Sequence, residues 1–347
     1  MKMKKTDRIL LIQLTAIGDT LMCEPALFGL RSSHPNAHIT FLTSNAAAPI
    51  LENNPSIDRL MVWKKKTPIL KYICFLFMLS RDRYDLLVDF QNSPRTYLMA
   101  HFIRAKQKVS FESKRRNYIY SNLSRPIDVT KYAAFEKFEI CRPYLLGNLQ
   151  PSEPRIYIQE SNRTKAKQIF ATLAITPDDV IIAVSPVSKV RYRSWKPENY
   201  ARLCDYLYVK YKVKFVFTWG PGEKHMVMEV INSMQSHKPC TDYSIDCLKV
   251  LYAVFEASDM YLGNNNGPRH LAIAAGIPSM CIFGHFYYSH WTPPNEGKHI
   301  YVEPKARNAT KGVERIDTVD YMEAQDQCET LLNRVIAQKF SLTNRIS

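Results

Sequence analysis

Arg8-Ile9-Leu10-Leu11-Ile12-Gln13-Leu14-Thr15-Ala16-Ile17-Gly18-Asp19-Thr20 reads as a buried strand, a tight turn and the start of a helix. The apolar run is continuous, as expected of a strand covered on both faces. It does not read as a secretory leader, because Asp7 and Arg8 stand directly before it, Gln13 interrupts it, and no small-residue cleavage site follows. The same strand-then-helix order recurs along the chain. Strands are predicted at 8–14, 38–43, 59–63, 85–90 and 108–111, and again at 180–185, 214–219, 260–263 and 279–284. Amphipathic stretches such as 22–32, 198–211 and 248–257 lie between them, and the tail, 319–339, has the spacing of a long helix. Apolar strands alternating with helices make parallel sheets with helices on both faces.

The pattern runs twice, on either side of the polar stretch Gln150-Pro151-Ser152-Glu153-Pro154. A length of 347 residues suits two domains. The expected fold class is therefore α/β, with two doubly wound domains, 1–150 and 151–347, facing a central cleft. In such sheets ligands bind beyond the carboxyl ends of the strands. Of only 11 glycines, six (18, 220, 222, 263, 267 and 284) fall at or just past a predicted strand end, which marks those loops as the working rim.

Composition narrows the function classes. Apolar residues make up 46% and aromatics 12%, which excludes general disorder. The net charge of +15 is uneven: residues 1–150 hold 23 Lys and Arg against 12 Asp and Glu, a net +11, and 151–347 carry +4. An acidic partner is expected at the first half, although a solubilising surface fits the charge as well. The eight cysteines include no C-x-x-C pair and several sit in apolar runs, as in Ser279-Met280-Cys281-Ile282-Phe283, which fits reduced, buried thiols in a cytosolic protein. The nine histidines show no metal-ligand spacing. No apolar stretch reaches the roughly 18 residues of a membrane span. The longest, 69–79, contains Lys71 and is either a core helix or a face resting on an anionic leaflet.

Four strand-end segments carry residues suited to chemistry. In Leu14–Thr20, Asp19 is either a general base facing the cleft or a helix N-cap. In Ser185-Pro186-Val187-Ser188-Lys189-Val190-Arg191-Tyr192-Arg193-Ser194-Trp195, hydroxyls and cations in one loop suit a diphosphate, and a solvated basic loop is the alternative. Trp195 reads as a packing residue. In Trp219-Gly220-Pro221-Gly222-Glu223 the third glycine of a dinucleotide fingerprint is missing, but Glu223 is placed to accept from ribose hydroxyls. In Gly263-Asn264-Asn265-Asn266-Gly267-Pro268-Arg269-His270, a polar turn leads into a helix whose first amides suit a phosphate or sugar oxygens. The alternative there is a plain Asn-Gly turn with a half-buried His270.

Taken together these blocks resemble glycosyltransferase family 9, the ADP-heptose:lipopolysaccharide heptosyltransferases. Gly18-Asp19 with Glu24-Pro25-Ala26-Leu27 is similar to the family's opening G-D…P-A-L block. Tyr84-Asp85-Leu86-Leu87-Val88-Asp89-Phe90-Gln91 is similar to its Y-D-x-x-x-D-x-Q strand. Gly263–Pro278 with Phe283-Gly284 resembles its G-x-D-[ST]-G-x-x-H-x-A-x-A-x-G-x-P…F-G block. The resemblance runs from Arg8 to about Pro294.

It implies a GT-B fold: two Rossmann-like domains, the first for the acceptor and the second for the donor, with the tail helix packing back on the first. It implies inverting transfer of heptose from ADP-L-glycero-D-manno-heptose to the inner core of lipopolysaccharide, without a cofactor or an essential metal. Asp19 falls on the catalytic base; Ser188, Arg193, Glu223, Asn265, Asn266, Gly267 and His270 fall on the donor site. Lys64, Lys65 and Lys66, with Arg115 and Arg116, are candidates for the acceptor's phosphates and acidic sugars. The implied setting is the cytoplasmic face of an anionic inner membrane, and nucleic acid is not an expected partner. Two positions depart from the family: Arg193 stands for a lysine, and Asn265 for an aspartate, followed by Asn266 instead of Ser or Thr. Asn265 keeps an acceptor oxygen but loses the charge. Transfer of another nucleotide-activated sugar, or a catalytically silent lipopolysaccharide-binding relative, are the alternative readings.

Overall fold

The computed structural model describes residues 7–64, 67–188, 194–284, 287–294, 297–305, 307–308, 313–314 and 316–343. The chain divides into two compact units, Met1–Tyr157 and Ile158–Ser347.

In the first unit the elements run β1 (Arg8–Gln13), α1 (Ile17–Leu21), α2 (Glu24–Ser33), β2 (His38–Ser44), α3 (Ala48–Leu51), β3 (Arg59–Trp63), α4 (Ile69–Arg81), β4 (Arg83–Asp89), α5 (Pro94–Phe102), β5 (Arg104–Phe111), β6 (Asn122–Ser124) and α6 (Ala133–Cys141). The six strands form one sheet in the order β3-β2-β1-β4-β5-β6, and every neighbouring pair is parallel. Ile9, Leu10, Leu11 and Ile12 are fully buried, the consequence of sheet neighbours on both sides and helices on both faces. Leu10 and Ile12 join Leu42 and Leu87 in a core that α4 and α5 cover through Leu76, Leu79, Met99 and Ala100.

In the second unit the order is α7 (Glu160–Thr172), β7 (Ile181–Ser185), α8 (Pro197–Tyr211), β8 (Lys214–Phe217), α9 (Lys224–Ser233), α10 (Leu248–Glu256), β9 (Met260–Asn264), α11 (Gly267–Ala274), β10 (Ser279–Ile282), α12 (Tyr288–Trp291), β11 (His299–Val302) and α13 (Tyr321–Thr343). Its parallel sheet runs β11-β10-β9-β7-β8. Side chains alternate between two cores, as the period of a strand dictates. Ile182, Val184, Phe215 and Phe217 pack with α8 and α9, whereas Ile181 and Val216 pack with α7 and α10. Two parallel sheets, each helix-covered, make the α/β architecture of two Rossmann-like domains expected from the sequence.

The tail helix α13 buries Ala324, Cys328, Leu331, Leu332 and Val335 in the core of its own unit. The cysteine expectation is corrected in part: Cys23, Cys141, Cys204, Cys281 and Cys328 are buried, but Cys74, Cys240 and Cys247 are exposed.

Candidate active site

In each sheet the strand order reverses at one point, between β1 and β4 in the first and between β7 and β9 in the second. The strands stay paired to their carboxyl ends there, and the connections that leave them diverge, which is where such sheets hold a ligand.

At the first reversal β1 delivers the Asp19 turn. Ala16 takes a positive φ of 44° to make it, and α1 begins at Ile17. Asp19 is not the N-cap: it sits in the first helical turn, half-buried, and no side chain caps this helix. Across the reversal, Gln91 after β4 accepts the Leu14 amide N–H at 2.9 Å, tying the two strand ends together. Asp89, the last residue of β4, is fully buried and accepts from the Tyr120 hydroxyl at 2.7 Å and from the amides of Gln91 and Asn92. Burial pushes its carboxyl above the usual carboxylate range despite these bonds. Asp89 therefore builds the turn and is not presented at its surface.

The sequence gives no hint of the group beneath Asp19. Lys137, from α6, is buried, and its ammonium donates to the Asp19 carbonyl and to Gln13 Oε1, both at 2.8 Å. The Phe90 ring lies 5.9 Å away and the Cys23 sulfur 3.6 Å away. Burial drives the Cys23 thiol up to about 11, so it stays protonated beside the ammonium. Lys137 thus anchors the backbone of the Asp19 turn from below.

Glu24 opens α2 on the same connection. Its carboxylate is buried and accepts the Arg155 amide at 3.1 Å, holding the chain just before Tyr157. Desolvation raises its pKa from 4.5 to about 7. The folded chain holds this proton more tightly than the unfolded chain does. The contribution to stability is therefore full below pH 4.5 and is lost as pH rises through about 7. Glu24→Gln keeps the acceptor and removes the charge, so urea unfolding should show near-equal stability at pH 4.5 and a gain of about 3 kcal/mol over the parent at pH 8, at ~1.4 kcal/mol per unit.

Three of the basic candidates, Lys64, Arg115 and Arg116, follow strands of the same sheet. Lys64 is exposed at the end of β3, two strands from β1 on one side; Lys65 and Lys66 lie outside the described residues. Arg115 and Arg116 follow β5, two strands away on the other side. Two strand spacings are about 10 Å. Arg115 is exposed, while Arg116 is half-buried and donates through Nε to the Asn92 carbonyl at 2.8 Å, so part of its work is to fix this rim.

At the second reversal three adjacent strand ends gather the donor candidates: Ser188 after β7, Glu223 after β8, and Asn265 to His270 after β9. Gly263 is dictated by packing, since a Cβ there would lie 2.5 Å from the Ser185 carbonyl oxygen and 2.5 Å from the Tyr261 hydroxyl. The three asparagines that follow divide their labour. Asn264 is fully buried: its Oδ1 accepts from the Trp195 amide at 3.2 Å and the Tyr200 hydroxyl at 3.0 Å, and its amide donates to the Pro186 carbonyl. Asn266 caps α11, accepting from the Arg269 amide at 3.2 Å and donating to the Val187 carbonyl at 2.8 Å. Asn266 was a donor candidate, but these bonds commit its side chain to the protein. Asn265, between them, is half-buried at the rim.

Asn264 and Asn266 together stitch the 186–188 segment to the start of α11, with Gly267 as its first residue. Ser188 is nearly buried, its amide donating to Ser194 Oγ at 2.9 Å. Arg193 lies outside the described residues. Trp195 is 1% exposed and packs edge-on to Tyr200, as expected of a packing residue. Glu223 is half-buried; one of its oxygens accepts the Gly220 amide at 2.9 Å, closing the turn that Gly222 completes at φ 78°. His270 is buried, its ring 5.5 Å from that of Trp291. Beside it Arg269 is fully buried and donates to the Trp291 carbonyl and to Thr292 Oγ1, both at 2.9 Å. Among the described residues no three His, Cys, Asp or Glu side chains form a metal-holding group.

Comparison with known proteins places the fold. A crystal structure of a family 9 glycosyl transferase from Veillonella parvula DSM 2008 superposes with a TM-score of 0.84 at 24% identity, over 96% of this chain and 99% of that one. The Escherichia coli heptosyltransferase WaaC with ADP gives 0.67 at 15% identity, over 94% and 99%. At these identities the likeness is one of fold, and the fold is GT-B. The lipopolysaccharide core heptosyltransferase OpsX of Haemophilus influenzae is 22% identical over 279 residues, 79% of this chain and 78% of its own length. The family model for glycosyltransferase family 9 (heptosyltransferase) matches residues 76–320. The chain belongs to glycosyltransferase family 9, the heptosyltransferase family.

Proposed function

We propose that the protein moves heptose from ADP-L-glycero-D-manno-heptose to the inner core of a lipopolysaccharide precursor, with inversion. The observation that carries this reading is the separation of roles between the two sheet edges. A carboxylate stands at the strand reversal of the first, flanked by cations. The second offers a helix start, hydroxyls and an acidic residue on three adjacent strands. Family relatives solved with ADP and with an ADP-heptose analogue support the choice of donor.

The reaction is a single displacement. Asp19 takes the proton from an acceptor hydroxyl as that oxygen bonds to the anomeric carbon, and the bond to the diphosphate breaks with ADP leaving from the opposite face. Negative charge grows on the ADP oxygens. Ser188, Arg193 and the Gly267 amide at the start of α11 are the groups suited to meet it. Glu223 has an oxygen to offer the adenosine ribose, and Asn265 an amide for the sugar. Lys64, Lys65, Lys66, Arg115 and Arg116 would meet phosphates and acidic sugars of the acceptor. That acceptor is lipid-linked, which sets the work at the cytoplasmic face of an anionic membrane.

A panel of nucleotide sugars, read by release of nucleoside diphosphate with a heptose-deficient lipopolysaccharide acceptor, tests the donor. ADP-heptose is expected to turn over at least tenfold faster than UDP- or GDP-sugars; a faster UDP- or GDP-sugar would replace this donor with another. Asn265→Ala should raise the donor KM about tenfold, the loss of one sugar hydrogen bond. Affinity for ADP alone should stay within about twofold, since the amide is assigned to the sugar and not the nucleotide.

A further inference from the structure

Helix α4 is apolar nearly all the way round, yet it lies on the surface. One face, Tyr72, Phe75, Leu76 and Leu79, packs on the core beneath it. The other face, Leu70, Ile73 and Phe77, is exposed by 74%, 55% and 61%, with Cys74 and Met78 beside it. This second stripe follows helical spacing. The neighbouring helix α5 also exposes two large apolar side chains, Leu98 and Phe102. Isolated exposed apolar side chains are ordinary, whereas a stripe of them along one helix face marks a docking surface.

Charge identifies the occupant. Residues 64–81 include five Lys and Arg and no Asp or Glu, and residues 90–111 include four and none. Lys71, Arg81 and Arg95 are exposed on the two helices themselves, with the Arg81 guanidinium over the Phe77 ring at 4.8 Å. A symmetric contact with a second copy would bring these like charges together. An anionic bilayer instead accepts both components, the apolar stripe at the acyl boundary and the cations at the headgroups. Among the described residues no helix is long and apolar enough to cross a membrane. The contact is therefore one of a helix face lying on the surface.

We propose that the outer face of α4, with the neighbouring α5, docks the protein onto anionic phospholipid. The proposal deepens the functional reading above and rests on it for the identity of the membrane. Vesicle binding is measured without donor or acceptor, so either can fail while the other stands.

The test is flotation of the full chain with vesicles of phosphatidylcholine alone and of phosphatidylcholine with phosphatidylglycerol. The parent should bind the anionic vesicles at least tenfold more tightly, with binding falling as salt rises. The double substitution Ile73→Glu with Phe77→Glu should reduce binding at least tenfold while leaving the melting temperature and ADP affinity unchanged. Lys71→Glu with Arg95→Glu, which leaves the apolar stripe intact, should also weaken it. The proposal is overturned if the parent ignores anionic vesicles or if both double variants bind as the parent does. It is equally overturned if the parent is a dimer that the Ile73→Glu, Phe77→Glu pair splits into monomers, which would show a second copy on this face.

Discussion

Asp19→Asn is expected to reduce turnover by about 10²–10⁴-fold, the range a positioned general base contributes, while affinity for ADP stays within about twofold. Asn fills the same space at the same helical position, and no side-chain cap depends on the carboxylate. The structural penalty is limited to losing an acid from the first turn of α1, about 0.3–1 kcal/mol. A melting curve close to the parent's, together with retained ADP affinity, would separate lost chemistry from lost fold. Turnover within tenfold of the parent would remove Asp19 from the role of base.

Lys137→Met should give the second largest effect, through position instead of proton transfer. The ammonium holds the Asp19 carbonyl and the Gln13 side chain, so its removal leaves two acceptors to share the weak Cys23 thiol donor, at 3.4 and 3.9 Å. Unsatisfied buried acceptors cost about 1–3 kcal/mol each, and urea unfolding should show a loss of that order. A shift of about 1 Å in a reacting group lowers rate by about 10²-fold. A fall of about 10–100-fold in kcat is therefore expected, with the donor KM little changed because the donor candidates lie on the other sheet. Parental kcat in a destabilised variant would make Lys137 a packing residue only. A donor KM that rises in step with the fall in kcat would count against it as well.

The fold was legible where the strands are buried on both faces. Each predicted strand from 8–14 to 279–284 has its counterpart, because continuous apolar runs separated by helical spacing have few other solutions. Two strands of the parallel sheets were missed for the opposite reason. Asn122-Leu123-Ser124 has no buried residue, and His299–Val302 is a four-residue edge strand that opens on a histidine. Neither carries the apolar run that marks an inner strand.

Within the candidate site, glycine at strand ends and lone acids beside them mark the loops that follow the two strand reversals. What the sequence could not do was divide roles within a loop. Asn264, Asn265 and Asn266 look alike on paper. Only strand alternation and the start of α11 turn the first into the core, leave the second at the rim and make the third a cap. Lys137 was out of reach altogether, since Phe135-Glu136-Lys137-Phe138 reads as an ordinary amphipathic turn and its partners lie more than a hundred residues away. The exposed stripe on α4 is a related case: an apolar run predicts a helix, but only its neighbours decide which face they leave uncovered.

The assignment of this chain as an ADP-heptose-dependent transferase is tested most directly by mass spectrometry of a heptose-deficient lipopolysaccharide acceptor incubated with the protein and ADP-heptose. The account predicts an acceptor heavier by one heptosyl residue, formed one for one with ADP and absent in Asp19→Asn. An acceptor of unchanged mass in the presence of tight ADP-heptose binding would contradict it and leave a protein that holds its ligands without joining them.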